Sequence, residues 1–161
     1  AEIGHVAGGE GNDNDGNEVD TNAFTDPQEA VAFVEQTGVD ALAIAFGTVH
    51  GVYKGTPKLE LQLLDEIRSK VDIPIVMHGG SGLADEDFRN AVAHGISKIN
   101  FCTGLFLSTT EAARKAIDEN GGRMQLPGVL GVIHKRAREE MAHLFEVYHT
   151  QPLALENIAH K

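Results

Sequence analysis

The sequence holds a single cysteine, Cys102, so no disulfide can form within the chain, and a reducing cytosol is the expected compartment. Basic residues are also few: 13 Lys and Arg stand against 24 Asp and Glu, for a formal net charge of −11. Such a surplus of acid argues against nucleic acid or an anionic membrane surface as partner. A small phosphorylated ligand stays compatible, because backbone N–H groups, one lysine or a metal suffice to hold it. No apolar run approaches the ~20 residues of a membrane span. The chain opens on Ala1-Glu2-Ile3-Gly4, with no basic segment or apolar h-region, so no signal peptide is expected. It also opens without methionine and nearly mid-strand, as expected of a processed, cleaved or truncated chain.

What is present is 161 residues, 42% hydrophobic and 23% charged, enough for one soluble globular domain with a real core. The stretch from Ala41 to Ser81 organises it. The apolar runs Ala41–Phe46 and Ile73–Met77 read as strands buried on both faces, since neither alternates with polar residues. Between them Leu59, Leu61, Leu63, Leu64 and Ile67 form the apolar side of a helix, which gives a βαβ unit. Each strand runs into glycine and histidine: Gly47-Thr48-Val49-His50-Gly51 after the first, His78-Gly79-Gly80-Ser81-Gly82 after the second. Both histidines then lie past a carboxyl strand end, the edge where parallel α/β folds bind ligands. Imidazole is a common ligand for zinc and similar metals, and the repetition favours His50 and His78 as two ligands of one ion. A third ligand must come from elsewhere.

Residues 1–4 read as the end of an earlier strand. The Gly and Asx run from Gly8 to Asn17 is a loop, either a plain linker or an active-site lid carrying Glu10. Asp26-Pro27 should cap and open a helix that buries Ala30, Val31, Phe33 and Val34 and stops at Thr37-Gly38. A further helix is expected over Ala84–His94, a strand from Ile96, a helix over Leu105–Glu119 and a long amphipathic helix from Val129 to about His149, with a tail after Pro152. Strand starts at Ala41, Ile73 and Ser97 lie 32 and 24 residues apart, the βα repeat of a barrel or of a doubly wound sheet. A full barrel needs ~250 residues, so about four units amount to half of one. The runs Gly79-Gly80-Ser81 and Asn100-Phe101-Cys102-Thr103 then follow the last two strands, where (β/α)₈ barrels commonly hold phosphate.

These motifs resemble the class II, zinc-dependent ketose-bisphosphate aldolases, which include the fructose- and tagatose-bisphosphate enzymes. The likeness rests on Gly47–Gly55, His78–Gly82 and Lys98–Thr103, with Glu2-Ile3-Gly4 and Gly8-Gly9-Glu10 at the start, and runs from residue 1 to about 149. It implies the C-terminal portion of a (β/α)₈ TIM barrel, about strands five to eight plus C-terminal helices, with residues 1–161 as one part-domain. The implied activity is that of a lyase cleaving a ketose 1,6-bisphosphate to dihydroxyacetone phosphate and an aldehyde, in glycolysis or related carbohydrate metabolism. The resemblance makes His50 and His78 two of the family's three zinc histidines. It makes Gly51, Gly79, Gly80, Ser81, Asn100, Phe101, Cys102 and Thr103 the substrate-binding positions, and Glu10 the loop acid that moves a proton. Zn²⁺ is the implied cofactor, with room for a monovalent cation.

The resemblance also implies absences. The third zinc histidine and the aspartate that deprotonates the C4 hydroxyl belong to the first half of the family's barrel, and His5, His94 and His134 do not replace that histidine. Cys102 stands where fructose-specific members carry an aspartate. The segment alone is therefore expected to be inactive, its partners being the N-terminal half of the barrel and further copies in a homo-oligomer, with no nucleic acid and no membrane. The competing readings are a non-catalytic sugar-phosphate-binding protein on the same scaffold, and another metal-dependent lyase or epimerase on a barrel.

Overall fold

The fold is described from a computed structural model for residues 1–8, 19 and 21–152. Four parallel strands form one sheet: β1 (Glu2–Ile3), β2 (Leu42–Ile44), β3 (Ile75–Met77) and β4 (Ile96–Ile99). Their order across the sheet is their order in the chain. A doubly wound sheet reverses that order at a switch point, so the choice left open by the strand spacing falls to the singly wound arc of a barrel. The helices are α1 (Pro27–Thr37), α2 (Leu61–Lys70), α3 (Asp85–Ala93), α4 (Thr103–Glu119) and α5 (Leu126–Val147). The Gly8–Asn17 loop beyond Gly8, with Glu10, and the tail from residue 153 lie outside the described residues.

Local chemistry explains the borders. The Asp26 carboxylate accepts the N–H groups of Gln28 and Glu29 at 2.8 and 3.0 Å, and Pro27 sits in the first turn. Gly38 closes α1 in the left-handed region at φ 65°, donating its N–H to Val34. The strands are shorter than the apolar runs that announce them, and two helices start earlier than expected. Helix α4 begins at Thr103 rather than Leu105, and α5 begins at Leu126 rather than Val129, with Pro127 in its first turn. Proline's fixed φ suits a helix start and costs no hydrogen bond there, so the helix extends back to it.

Every residue of β2 and β3 is buried. Leu42, Ile44, Ile75 and Met77 point into the core with Leu64, Ile67, Phe88, Ala91 and Leu144. Alternation puts Ala43 and Val76 on the opposite face, in register with Glu2 of β1 and Lys98 of β4. The outer strands are less protected: Ser97 and Lys98 of β4 are exposed. Thr25 bridges β1 to the segment after β2, its Oγ1 donating to the Ile3 carbonyl and accepting the Ala45 N–H, each at 2.9 Å.

Ile67 is fully buried at the centre of the α2 contact with the sheet. Truncation to alanine removes buried methylenes and leaves a cavity, so Ile67→Ala should cost about 2–5 kcal/mol. The neighbouring exposed Gln62→Ala should stay within about 0.5 kcal/mol, and denaturant unfolding of the two variants checks the contrast.

Candidate metal and phosphate site

The carboxyl ends of the strands carry three loops that meet. His78 directly follows the last residue of β3. His50 does not hold the equivalent place, because a buried segment, Ala45–Val49, separates it from Ile44. Gly47 makes this detour possible. Its φ is +117°, and a Cβ there would lie 2.3 Å from the Lys58 carbonyl oxygen, so any side chain would strike the returning strand of the loop. Despite their unequal positions, the two imidazoles face each other with ring centroids 5.7 Å apart and planes inclined at 47°.

That spacing suits a shared ion. Two imidazoles on a tetrahedral metal at ~2.0–2.1 Å bring their centroids to about 5 Å. The Nδ1 of His78 lies 3.0 Å from Glu2 Oε2. A carboxylate at that nitrogen holds its proton and leaves Nε2 as the lone-pair donor, the arrangement metal-binding histidines usually have. Glu2 reaches His78 across Ala43, the small residue that its own strand pairs with. Glu2 is a site residue that the sequence motifs alone do not single out. The available signal was an acid at a strand end, on the inward parity of the sheet. Among the described residues no group of three or more His, Cys, Asp or Glu gathers to hold a metal, so a third such ligand is not among them.

A cleft beside His50 is lined by Gly51, Gly79, Gly80, Ser81, Asn100, Cys102 and Thr103. The positions expected to bind phosphate therefore converge, with one departure. The Phe101 side chain turns away into the groove beyond β4 and meets the edge of Phe88, ring centroids 6.3 Å apart. Gly80 also has a different reason for being glycine than close approach to a ligand. A Cβ there would meet Phe88 Cε1 at 3.0 Å, on the core side. Ser81 Oγ accepts the Gly104 N–H at 2.8 Å and so ties the β3 loop to the first turn of α4. The N-cap of that helix, Cys102, makes no side-chain capping bond. A long helix whose first amides open on a cleft of glycine, Ser and Thr is suited to an anion. Lys98 Nζ donates to Asn100 Oδ1 at the rim of the same cleft.

Tyr53 links the two histidine loops. Its hydroxyl donates to the Gly79 carbonyl at 2.7 Å and accepts the Val49 N–H at 3.1 Å. Burial of the phenol pushes its pKa up to about 12, against a smaller opposing pull from the Val49 bond. An unfolded tyrosine ionises near 10. Between these values the folded state keeps a proton that the unfolded state loses, so this group favours unfolding increasingly as pH rises from about 10 to 12 and has no such effect below. Denaturant midpoints measured across that range should fall with a slope that Tyr53→Phe makes shallower.

The family model for "Fructose-bisphosphate aldolase class-II" matches residues 1–151. The solved structure of the YdjI aldolase from Escherichia coli K12 aligns with a TM-score of 0.69 at 35% identity, over 79% of this chain and 46% of that one. A protein of Coccidioides immitis assigned as a fructose-1,6-bisphosphate aldolase aligns with a TM-score of 0.74 at 24% identity, over 92% of this chain and 50% of that one. The fructose-bisphosphate aldolase of Campylobacter jejuni gives 0.64 at 24% identity, over 78% and 45%. The chain thus spans about half the length of the solved structures it matches.

Proposed function

The chain belongs to the class-II fructose-bisphosphate aldolases, and we propose that, joined to the other half of its barrel, it cleaves a ketose 1,6-bisphosphate to dihydroxyacetone phosphate and an aldehyde. The observation that carries this reading is the convergence of His50 and His78 beside a cleft floored by the start of α4. His50 and His78 would hold a zinc ion, with Glu2 fixing the orientation of His78. A bound zinc supplies Lewis acidity at the ketose carbonyl.

The residues of this chain do the rest of the holding. Backbone amides of Gly79, Gly80 and the first turn of α4, with the hydroxyls of Ser81 and Thr103, take the phosphate that becomes part of dihydroxyacetone phosphate. Anchoring that phosphate fixes the carbon chain against the ligand histidines and lowers the entropic cost of reaching the reactive geometry. In the cleavage a base removes the C4 hydroxyl proton, the C3–C4 bond breaks, C4 leaves as the aldehyde, and the electron pair passes to C3. Glu10 is assigned to the proton returned at C3. The base and the third zinc histidine would come from the other half of the barrel.

That half would close on β4, whose outer side opens on a groove of about 820 Å³ lined by Ile99, Phe101, Met141, Phe145 and Tyr148. Assembly of complete barrels into a homo-oligomer belongs to the same reading, as does work in the cytoplasm on carbohydrate phosphates. No helix among the described residues is long and apolar enough to cross a membrane.

The deciding experiment is metal analysis and aldol cleavage on the full-length protein. His50→Ala and His78→Ala should each lose the bound zinc and reduce kcat by at least about a hundredfold, with the circular dichroism of the wild type retained. Residues 1–161 alone, given zinc, should turn over neither fructose nor tagatose bisphosphate. Full zinc content and turnover in both histidine variants would remove the reading.

The phosphate side is checked separately. Ser81→Ala removes both a ligand hydroxyl and the tie to Gly104. It should raise KM for the phosphorylated ketose about tenfold and cost about 1 kcal/mol of stability, measured by steady-state kinetics and thermal unfolding. An unphosphorylated ketose should not show the KM effect.

A further inference from the structure

The loops that carry the two imidazoles belong to successive βα units, and the β2–β3 pairing ends before either histidine is reached. Past that point Val49 and Gly79 come together backbone to backbone. A Cβ on Gly79, which has φ +69°, would lie 2.5 Å from the Val49 carbonyl oxygen. These are the residues immediately beside His50 and His78. One side chain joins them: the Tyr53 hydroxyl accepts a hydrogen bond from the Val49 N–H and donates one to the Gly79 carbonyl. A phenol hydroxyl has one proton to give and lone pairs to accept, so it can serve one loop in each capacity at once. Gly82 packs against the ring on one side; a Cβ there would lie 3.0 Å from Cδ2.

We propose that Tyr53 is a positioning residue that clamps the His50 loop to the His78 loop and so sets the separation of the two imidazoles. The proposal rests on reading those imidazoles as ligands of one ion. Metal–ligand distances tolerate only ~0.2 Å. Two loops free to slip past one another would offer one ligand at a time. The Tyr53 side chain does not line the cleft beside His50. Tyr53 acts through the backbone on either side, in contrast to Glu2, which acts on the His78 ring directly.

The test uses Tyr53→Phe in the full-length protein, which keeps the ring against Gly82 and removes only the hydroxyl. Val52→Ala, an exposed neighbour, is the control. In the metal-free protein, backbone amide exchange should accelerate together in the peptides covering 47–53 and 78–82, and the control should change neither. Zinc affinity, read by competition with a chelating dye, should fall about 10–100-fold in Tyr53→Phe, and the visible absorption of the cobalt-substituted protein should weaken or shift. Acceleration confined to 47–53, or zinc affinity within twofold of wild type, would overturn the proposal. Should His50→Ala and His78→Ala bind zinc as tightly as wild type, the metal reading is the one that fails. The exchange arm then judges the clamp by itself: acceleration in both loops sustains it, and acceleration in one or neither overturns it.

Discussion

Burial of Leu42–Ile44 and Ile75–Met77 on both faces suits these strands to the middle of a parallel sheet, where they are found. Parallel pairing in turn requires every connection to cross back over the sheet, so each carboxyl end empties into a loop on the same rim. The site is a consequence of that geometry. Gly47–Gly51, His78–Gly82 and Asn100–Thr103 share a rim because the strands before them share a direction. None of these loops needs an affinity for the others to arrive there. Affinity matters only in the last few ångströms, which Tyr53, Ser81 and the contact of Gly79 with Val49 supply.

The two faces of the sheet divide the labour. Leu42, Ile44, Ile75 and Met77 serve the packed side. The other side carries Glu2, Ala43, Val76 and Lys98 in one row of register partners. An acid and a base on the outer strands with small or branched residues between them would be poor material for a core. They suit a surface where an acid must reach sideways to a histidine. Phe101 packs on Phe88 and lines only the groove beyond β4, while Asn100 and Cys102 border both that groove and the cleft, so the consecutive residues of this short turn do not all face one ligand.

The existence of the strands, helix α1 with its Asp26 cap and Gly38 stop, and the meeting of His50 with His78 were legible in the sequence, because apolar runs, caps and repeated glycine–histidine punctuation are local signals, whereas strand spacing alone left the strand order open. The equivalence assumed for the two histidines was not correct: Ala45–Val49 is as buried as the strand before it, and no pattern of residue types tells a strand from an irregular buried segment. The start of α4 at Thr103 was missed because Thr and Gly are weak helix formers, and the helix there is secured from outside by Ser81. Glu2 and Tyr53 act across distances in sequence that only the register of β1 on β2, and of the loops on one another, makes short. The glycine, Ser and Thr content of the cleft was readable from residue types, while the direction of each side chain required the backbone.

The hydrogen bond from His5 N–H to the Ala23 carbonyl, at 2.9 Å, fixes both ends of the connection between β1 and α1. Thr25 repeats the anchoring one step further in. The intervening stretch, with its glycines, Asp13, Asp15 and Glu10, is tethered at its base whatever its length. Closing a loop costs only about 0.6 kcal/mol more for each doubling of its length. The sheet therefore sets little limit on the length of this connection, and what constrains its sequence is the work proposed for Glu10 rather than the fold. Among proteins sharing this scaffold, a change of length between His5 and Ala23 is the one the sheet registers least.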